Sequence, residues 1–97
     1  MYDVEAAIAA GKLADAIDLS DALVTRVLTS TATLFGSTDV ARDASNMPYL
    51  LGIDGRRYLA FRSIVRAARS GAKVSAQDAL GAYAFALEAR MAKSSVR

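Results

Sequence analysis

Five arginines in the stretch GIDGRRYLAFRSIVRAAR are the residues whose type and spacing could do chemistry. They are Arg56, Arg57, Arg62, Arg66 and Arg69. Guanidinium groups bind phosphates and carboxylates through forked hydrogen bonds. On an α-helix the last three follow one another at i, i+4 and i+7, so they share one side of it. The free backbone N–H groups at the helix start favour anions beside the first two. The stretch therefore predicts an interface or anion-binding surface.

Two interpretations of these arginines stay open, and the sequence favours the first. Acidic side chains precede them along the chain, and Asp15, Asp18 and Asp21 can pair with them within one chain or between chains. In the alternative, the arginines contact the phosphate backbone of a nucleic acid. A helix-turn-helix reader is a poor match, because the candidate recognition helix offers only Gln77 and Asp78 near its start.

The Gly-Ile-Asp-Gly turn before the arginines resembles no nucleotide-binding motif. Neither the P-loop pattern nor the spacing of the dinucleotide-binding glycines is present. Asp54 stands where a helix N-cap is expected, and the glycines beside it permit a tight turn. The turn is thus predicted to begin a helix rather than to hold a nucleotide.

The absence of cysteine and histidine excludes several classes of chemistry. Disulfide frameworks, thiolate zinc sites, cysteine nucleophiles and imidazole bases all need one of these residues. The remaining nucleophiles, Ser, Thr, Lys and Tyr, stand in no recognisable catalytic motif. The sequence therefore predicts no enzyme, no metal and no cofactor.

Charge is distributed unevenly along the chain, although the formal net charge is only +2. Residues 1–54 carry eight acidic and three basic side chains, and residues 55–97 carry two acidic and nine basic ones. Either the two halves pack together and neutralise each other, or copies of the chain stack head to tail. Both alternatives predict that acids and arginines meet at an interface.

Periodic apolar residues predict a single all-α domain over residues 1–97, a small bundle of four to five helices. Three of the helices are expected to be long: Asp21–Phe35, Gly55–Arg69 and Ala76–Ala92. A short helix capped by Asp3 ends at Gly11, a second runs from Lys12 to Leu19, and Ser20 caps the first long one. One or two further helical turns are expected over Asp39–Ala44.

The last helix is expected to begin at a capping box formed by Ser75 and Asp78. Its buried stripe is predicted to consist of Leu80, Tyr83, Ala84, Leu87 and Met91. Phe85 falls outside that stripe, among small residues. It predicts either a flat docking surface or a second buried side of the helix.

These features together predict a non-enzymatic structural or interaction protein. It would be a small helical subunit of a larger oligomeric assembly, such as a virion accessory or connector component, with other protein subunits as partners. The expected interface residues are the five arginines and Phe85. A small nucleic-acid-binding protein is the alternative. An acidic start and a longest uncharged run of twelve residues, Val27 to Thr38, predict no signal peptide and no membrane span, hence a cytoplasmic or virion location.

Overall fold

The computed structural model describes residues 2–34, 36, 39, 48 and 51–94, except for the side chain of residue 2. Among these residues it contains four α-helices and no strand. In chain order they are α1 (Tyr2–Ala9), α2 (Leu13–Leu34), α3 (Gly55–Arg69) and α4 (Ala76–Ser94). The all-α class and the number of helices are confirmed. The turns predicted over Asp39–Ala44 and the predicted end of a helix at Phe35 lie outside the described residues.

The turn between α1 and α2 forms at a glycine, as predicted. Gly11 has a φ of 75°, a conformation that glycine adopts without steric cost. Its N–H donates to the carbonyl of Ile8 at 3.0 Å, and the N–H of Lys12 donates to the carbonyl of Ala7 at 2.9 Å. These two bonds satisfy carbonyls that the helix end would leave unpaired. Asp3 lies within the first turn of α1 and does not precede it, so its prediction as the N-cap is wrong.

The predicted helix break at Ser20 is also wrong, because α2 is continuous across it. The Ser20 hydroxyl donates to the carbonyl of Ala16 at 2.9 Å, so it is satisfied inside the helix and is not free to cap a new one. Ser20 is fully buried, and its neighbours Ile17 and Val24 pack on the same side of α2. The buried face of α2 therefore continues through Ser20, where the sequence suggested that one helix ends and another begins.

The starts of α3 and α4 are capped as the sequence predicts. The carboxylate of Asp54 accepts a hydrogen bond from the N–H of Arg56 at 2.9 Å. At α4, the Ser75 hydroxyl accepts from the N–H of Asp78 at 3.0 Å, and the Asp78 carboxylate accepts from the N–H of Ser75 at 3.1 Å. These three bonds satisfy donors that have no partner within a helix.

Replacement of Ser75 by alanine is expected to lower the free energy of unfolding by about 1 kcal/mol. The substitution leaves the N–H of Asp78 without its protein acceptor. Urea denaturation followed by circular dichroism measures the loss. Ser63→Ala is the matched control, since Ser63 is exposed inside α3 and caps nothing, so its stability should be unchanged or slightly higher. Equal losses in the two variants would contradict the role of the cap.

The core lies mainly between α2 and α4, which make the most extensive contact in the molecule, and α1 and α3 pack against both. Phe61 and Val65 of α3 are buried against this pair. The ring of Phe85 stacks on that of Phe61, with centroids 4.7 Å apart. The side of α4 that faces the core otherwise consists of fully buried alanines: Ala79, Ala82, Ala86 and Ala89. Their small size lets α4 approach α2 closely.

The predicted buried stripe of α4 is therefore wrong, because that side of the helix faces solvent and not the core. Leu80 is 54% exposed and Met91 is 70% exposed, whereas the alanines and Phe85 face the core. A helix at the edge of a small domain buries one face, and here the stacking of two phenylalanines and the close approach of alanines determine which one. The larger aliphatic side chains remain on the solvent side.

Candidate functional site

The carboxylate of Asp21 holds two of the five arginines. One of its oxygens, Oδ1, accepts from Nη1 of Arg62 at 2.6 Å, and Oδ2 accepts from Nη2 of Arg69 at 2.5 Å. Nε of Arg69 also lies 3.6 Å from the carboxylate of Asp18. The acidic and basic halves of the chain thus pair within one molecule, as the first interpretation of the arginines predicts.

The acid and the arginines of this cluster differ in their exposure to solvent. The Asp21 side chain is 4% exposed, whereas those of Arg62 and Arg69 are 34% and 58% exposed. A buried carboxylate needs hydrogen-bonded cations, because charge without a partner is costly away from water. The two arginines supply them from α3 while their outer parts remain in solvent. The cluster consequently fastens α3 to α2.

Helix geometry explains why Arg66 does not join the cluster. Arg62 and Arg69 differ by only about 20° around the axis of α3, whereas Arg66 lies about 40° to the other side of Arg62. Arg66 is exposed and, like Arg56, makes no ion pair with any residue that the structure describes. Arg57 pairs with Glu88 of α4 at 2.6 Å. The five arginines therefore form no continuous open row.

Phe85, the other predicted interface residue, does not lie at the surface. It is 4% exposed, stacks on Phe61 and has its centroid 6.1 Å from that of Tyr58. Phe85 is buried, but α4 is not buried on two sides as one alternative required, because Leu80 and Met91 on its opposite side are exposed. Its prediction as an interface residue is corrected, because the ring is enclosed by α3 and α4.

A row of apolar side chains on the solvent side of α4 is the candidate site. We call it the outer α4 stripe, and it consists of Leu80, Ala84, Leu87 and Met91. Leu80, Ala84 and Met91 are exposed, and Leu87 is half-buried. Intervals of four, three and four residues keep the row within about 60° of the helix circumference. The sequence identified these residues as an apolar face but assigned them to the core.

The edge of the stripe that faces α1 contains a polar contact. The hydroxyl of Tyr83 donates to the carboxylate of Glu5 at 2.8 Å. This hydrogen bond is the main reason that the pKa of Tyr83 lies above its ordinary value, because ionisation of the phenol would remove the donor and place a second negative charge beside Glu5. Arg90 acts in the opposite direction and lowers that pKa.

Tyr83 is accordingly expected to ionise at a higher pH than an ordinary tyrosine, whose pKa is about 10. Its contribution to stability is present below pH 10 and is lost as the pH rises through the higher pKa of the folded state. Absorbance at 295 nm during alkaline titration measures ionisation, and the difference from Tyr83→Phe isolates this side chain. Glu5→Gln should lower the pKa of Tyr83. A Tyr83 that titrates at or below pH 10 in the native protein would contradict the contact.

The part of the chain that the structure describes contains neither a cluster that could hold a metal ion nor a membrane-spanning helix. Within residues 2–34 and 51–94, no three acidic side chains come close enough together to hold a metal ion. No helix in the part of the chain that the structure describes is both long enough and apolar enough to cross a membrane. No protein-family model matches the chain, and comparison with curated proteins and with solved structures gives no match either.

Proposed function

We propose that the chain is a single helical domain, a small bundle built on three long helices, that works as a non-enzymatic subunit of an oligomeric assembly. Its partner is a second copy of itself, and the contact is made by the outer α4 stripe. The observation that carries this proposal is the exposure of that stripe on a helix whose opposite side is already buried in the core.

The outer α4 stripe leaves large apolar side chains in contact with water. Burial of a leucine or methionine side chain contributes about 1.5–3 kcal/mol. Leu80 and Met91 leave more than half of their surface in water, and Leu87 lies between them on the same face. Scattered exposed leucines are ordinary, but a row of apolar side chains on one helix is typical of a surface that another helix covers.

The spacing of the stripe favours a second copy as the partner. Intervals of four, three and four residues are those of the apolar positions in a coiled-coil heptad. They also read the same in both directions along the helix. In an antiparallel pair, Leu80 lies opposite the partner's Met91, and Ala84 lies opposite the partner's Leu87. Each contact occurs twice about a twofold axis, as a symmetric dimer requires.

Side-chain sizes favour the antiparallel over the parallel direction, and the flanking charges are compatible with it. A parallel pair sets Ala84 against the partner's Ala84 and leaves a gap, whereas the antiparallel pair fills it with leucine. Beside the stripe, Glu88 would face the partner's Gly81, and Arg90 would face the partner's Tyr83. No like charges meet, so nothing on the flanks opposes the pairing.

The other candidate functions have weaker support. Head-to-tail stacking by charge is weakened because Asp21 already holds Arg62 and Arg69 within the chain, which leaves fewer arginines of α3 available. Nucleic-acid binding by the arginine helix has the same difficulty, and Arg57 is additionally paired with Glu88. The expected setting of the assembly, a virion accessory or connector component, and the cytoplasmic or virion location stay predictions.

Light scattering on size-separated, untagged protein tests the proposal. At micromolar concentration we expect twice the mass of the 10.2 kDa chain at both low and high salt, because apolar contacts are not screened by ions. A monomer at both salts would contradict self-association. A dimer that dissociates as salt rises would contradict the stripe and favour contact between charges.

A further inference from the structure

A second surface feature lies between α2 and α4, away from the arginine helix. It is a cleft of about 520 Å³. Its lining residues are Leu23, Arg26, Val27 and Ser30 from α2, and Arg90, Lys93 and Ser94 from α4. Leu23 and Val27 supply an apolar floor, and the other side chains surround it with cations and hydroxyls.

The cations of this cleft differ from most of those on α3 because carboxylates do not neutralise them. Arg26, Arg90 and Lys93 make no ion pair with any described residue. Asp3 shares a smaller neighbouring cleft with Arg26 but does not reach ion-pairing distance. Three positive charges thus converge on one concave surface that contains no acidic side chain.

Helix electrostatics explain only part of this arrangement. Arg90 and Lys93 lie near the C-terminal end of α4, where cations are stabilised by the helix dipole. Arg26 belongs to the middle of a different helix, so the dipole gives no reason for its place beside them. Convergence from two helices brings the like charges together, and a bound anion would stabilise all three.

We propose that this cleft binds a phosphate group, either free or as a small phosphomonoester. Arg26 and Arg90 offer forked donors, Lys93 offers a third charge, and the hydroxyl of Ser30 offers a further donor. A compact anion of charge near −2 fits three cations that converge, whereas a nucleic-acid backbone would need a row of them. No residue of the outer α4 stripe lines the cleft, although Arg90 also flanks that stripe.

Isothermal titration calorimetry at constant ionic strength tests the site, with inorganic phosphate and glycerol 3-phosphate as probes. Saturable binding of one phosphate per chain is expected, and Arg26→Ala and Arg90→Ala should each weaken it by about tenfold. Tighter binding of glycerol 3-phosphate identifies an ester as the ligand, and tighter binding of inorganic phosphate identifies the free ion.

Arg66→Ala is the matched control, since Arg66 is an exposed arginine without an ion pair that lies outside the cleft. It should leave binding unchanged, and so should a variant that disrupts the stripe, such as Leu80→Glu. Absence of saturable binding, or an equal loss in Arg66→Ala, would overturn the proposal. Binding of a 20-base-pair DNA duplex but of neither small phosphate would also overturn it, in favour of nucleic acid.

Discussion

Leu80→Glu is expected to convert the proposed dimer into a monomer and to raise its dissociation constant by a factor on the order of 10² to 10⁴. Each dimer buries the exposed half of two Leu80 side chains, and each half is worth about 0.8–1.6 kcal/mol. The added carboxylate would also have to be desolvated against the partner's Met91. Light scattering over a dilution series measures the change.

Leu59→Glu is the matched control for this prediction. Leu59 is 66% exposed, more than Leu80, but it belongs to α3 and not to the outer α4 stripe. Its substitution should leave the mass unchanged. The thermal unfolding of monomeric Leu80→Glu should remain cooperative, because the Leu80 side chain is outside the core. Equal effects of the two substitutions on mass would contradict a specific contact at the stripe.

Asp21→Ala should produce the largest loss of stability among single ion-pair variants, about 2–3 kcal/mol. It removes the carboxylate that fastens α3 to α2 and leaves two guanidinium groups without their acceptor. Complete burial of such a pair would give about 3–5 kcal/mol. Because Arg62 and Arg69 are partly exposed, they recover hydration, and the loss is smaller. Urea denaturation, at concentrations where the protein is monomeric, measures this loss in the free energy of unfolding.

Asp18→Ala tests whether the burial of Asp21, and not merely its negative charge near Arg69, accounts for its effect on stability. Asp18 lies 3.6 Å from Arg69 but is 56% exposed, so its removal should alter the free energy of unfolding by less than about 1 kcal/mol. A combined replacement of Arg62 and Arg69 by glutamine should destabilise the protein, and Asp21→Asn in that background should restore part of the loss. If Asp18→Ala and Asp21→Ala were equally destabilising, the buried carboxylate could not be the fastening element.

Local features of the fold were predictable because they depend on nearby residues. The cap at Asp54, the capping box at Ser75 and the turn at Gly11 each follow from a few neighbouring side chains or from backbone freedom. Ser20 misled the prediction because a serine hydroxyl can cap a helix or bond within one. Which of these occurs depends on whether the residue is buried by distant segments.

The residues of α4 alone do not predict which of its faces is buried. The helix has two apolar faces, one with large aliphatic side chains and one with alanines around Phe85. Periodicity identifies both faces but does not say which meets the core. That choice depends on Phe61, more than twenty positions earlier, whose ring stacks on Phe85. The sequence therefore identified the residues of the candidate site as an apolar row, but the prediction that they belong to the core was wrong. Arg26 and Arg90 likewise line one cleft because of tertiary packing that no local spacing indicates.

The central claim, an antiparallel pair of outer α4 stripes, predicts which positions of two chains lie together. The chain contains no cysteine, so a single introduced cysteine is a unique point of attachment. In the antiparallel pair, Leu80 faces the partner's Met91, whereas the two Leu80 positions lie eleven residues apart along the helix, about 16 Å. In a parallel pair each position faces its own copy.

The most direct measurement is therefore disulfide formation by Leu80→Cys and Met91→Cys variants, alone and mixed, with mass spectrometry of the products. We predict a covalent dimer from the mixture that joins positions 80 and 91, and little covalent dimer from either variant alone. Homodimers from each variant alone would contradict the antiparallel arrangement. Failure of every combination to link, at concentrations where light scattering reports a dimer, would contradict the stripe as the interface.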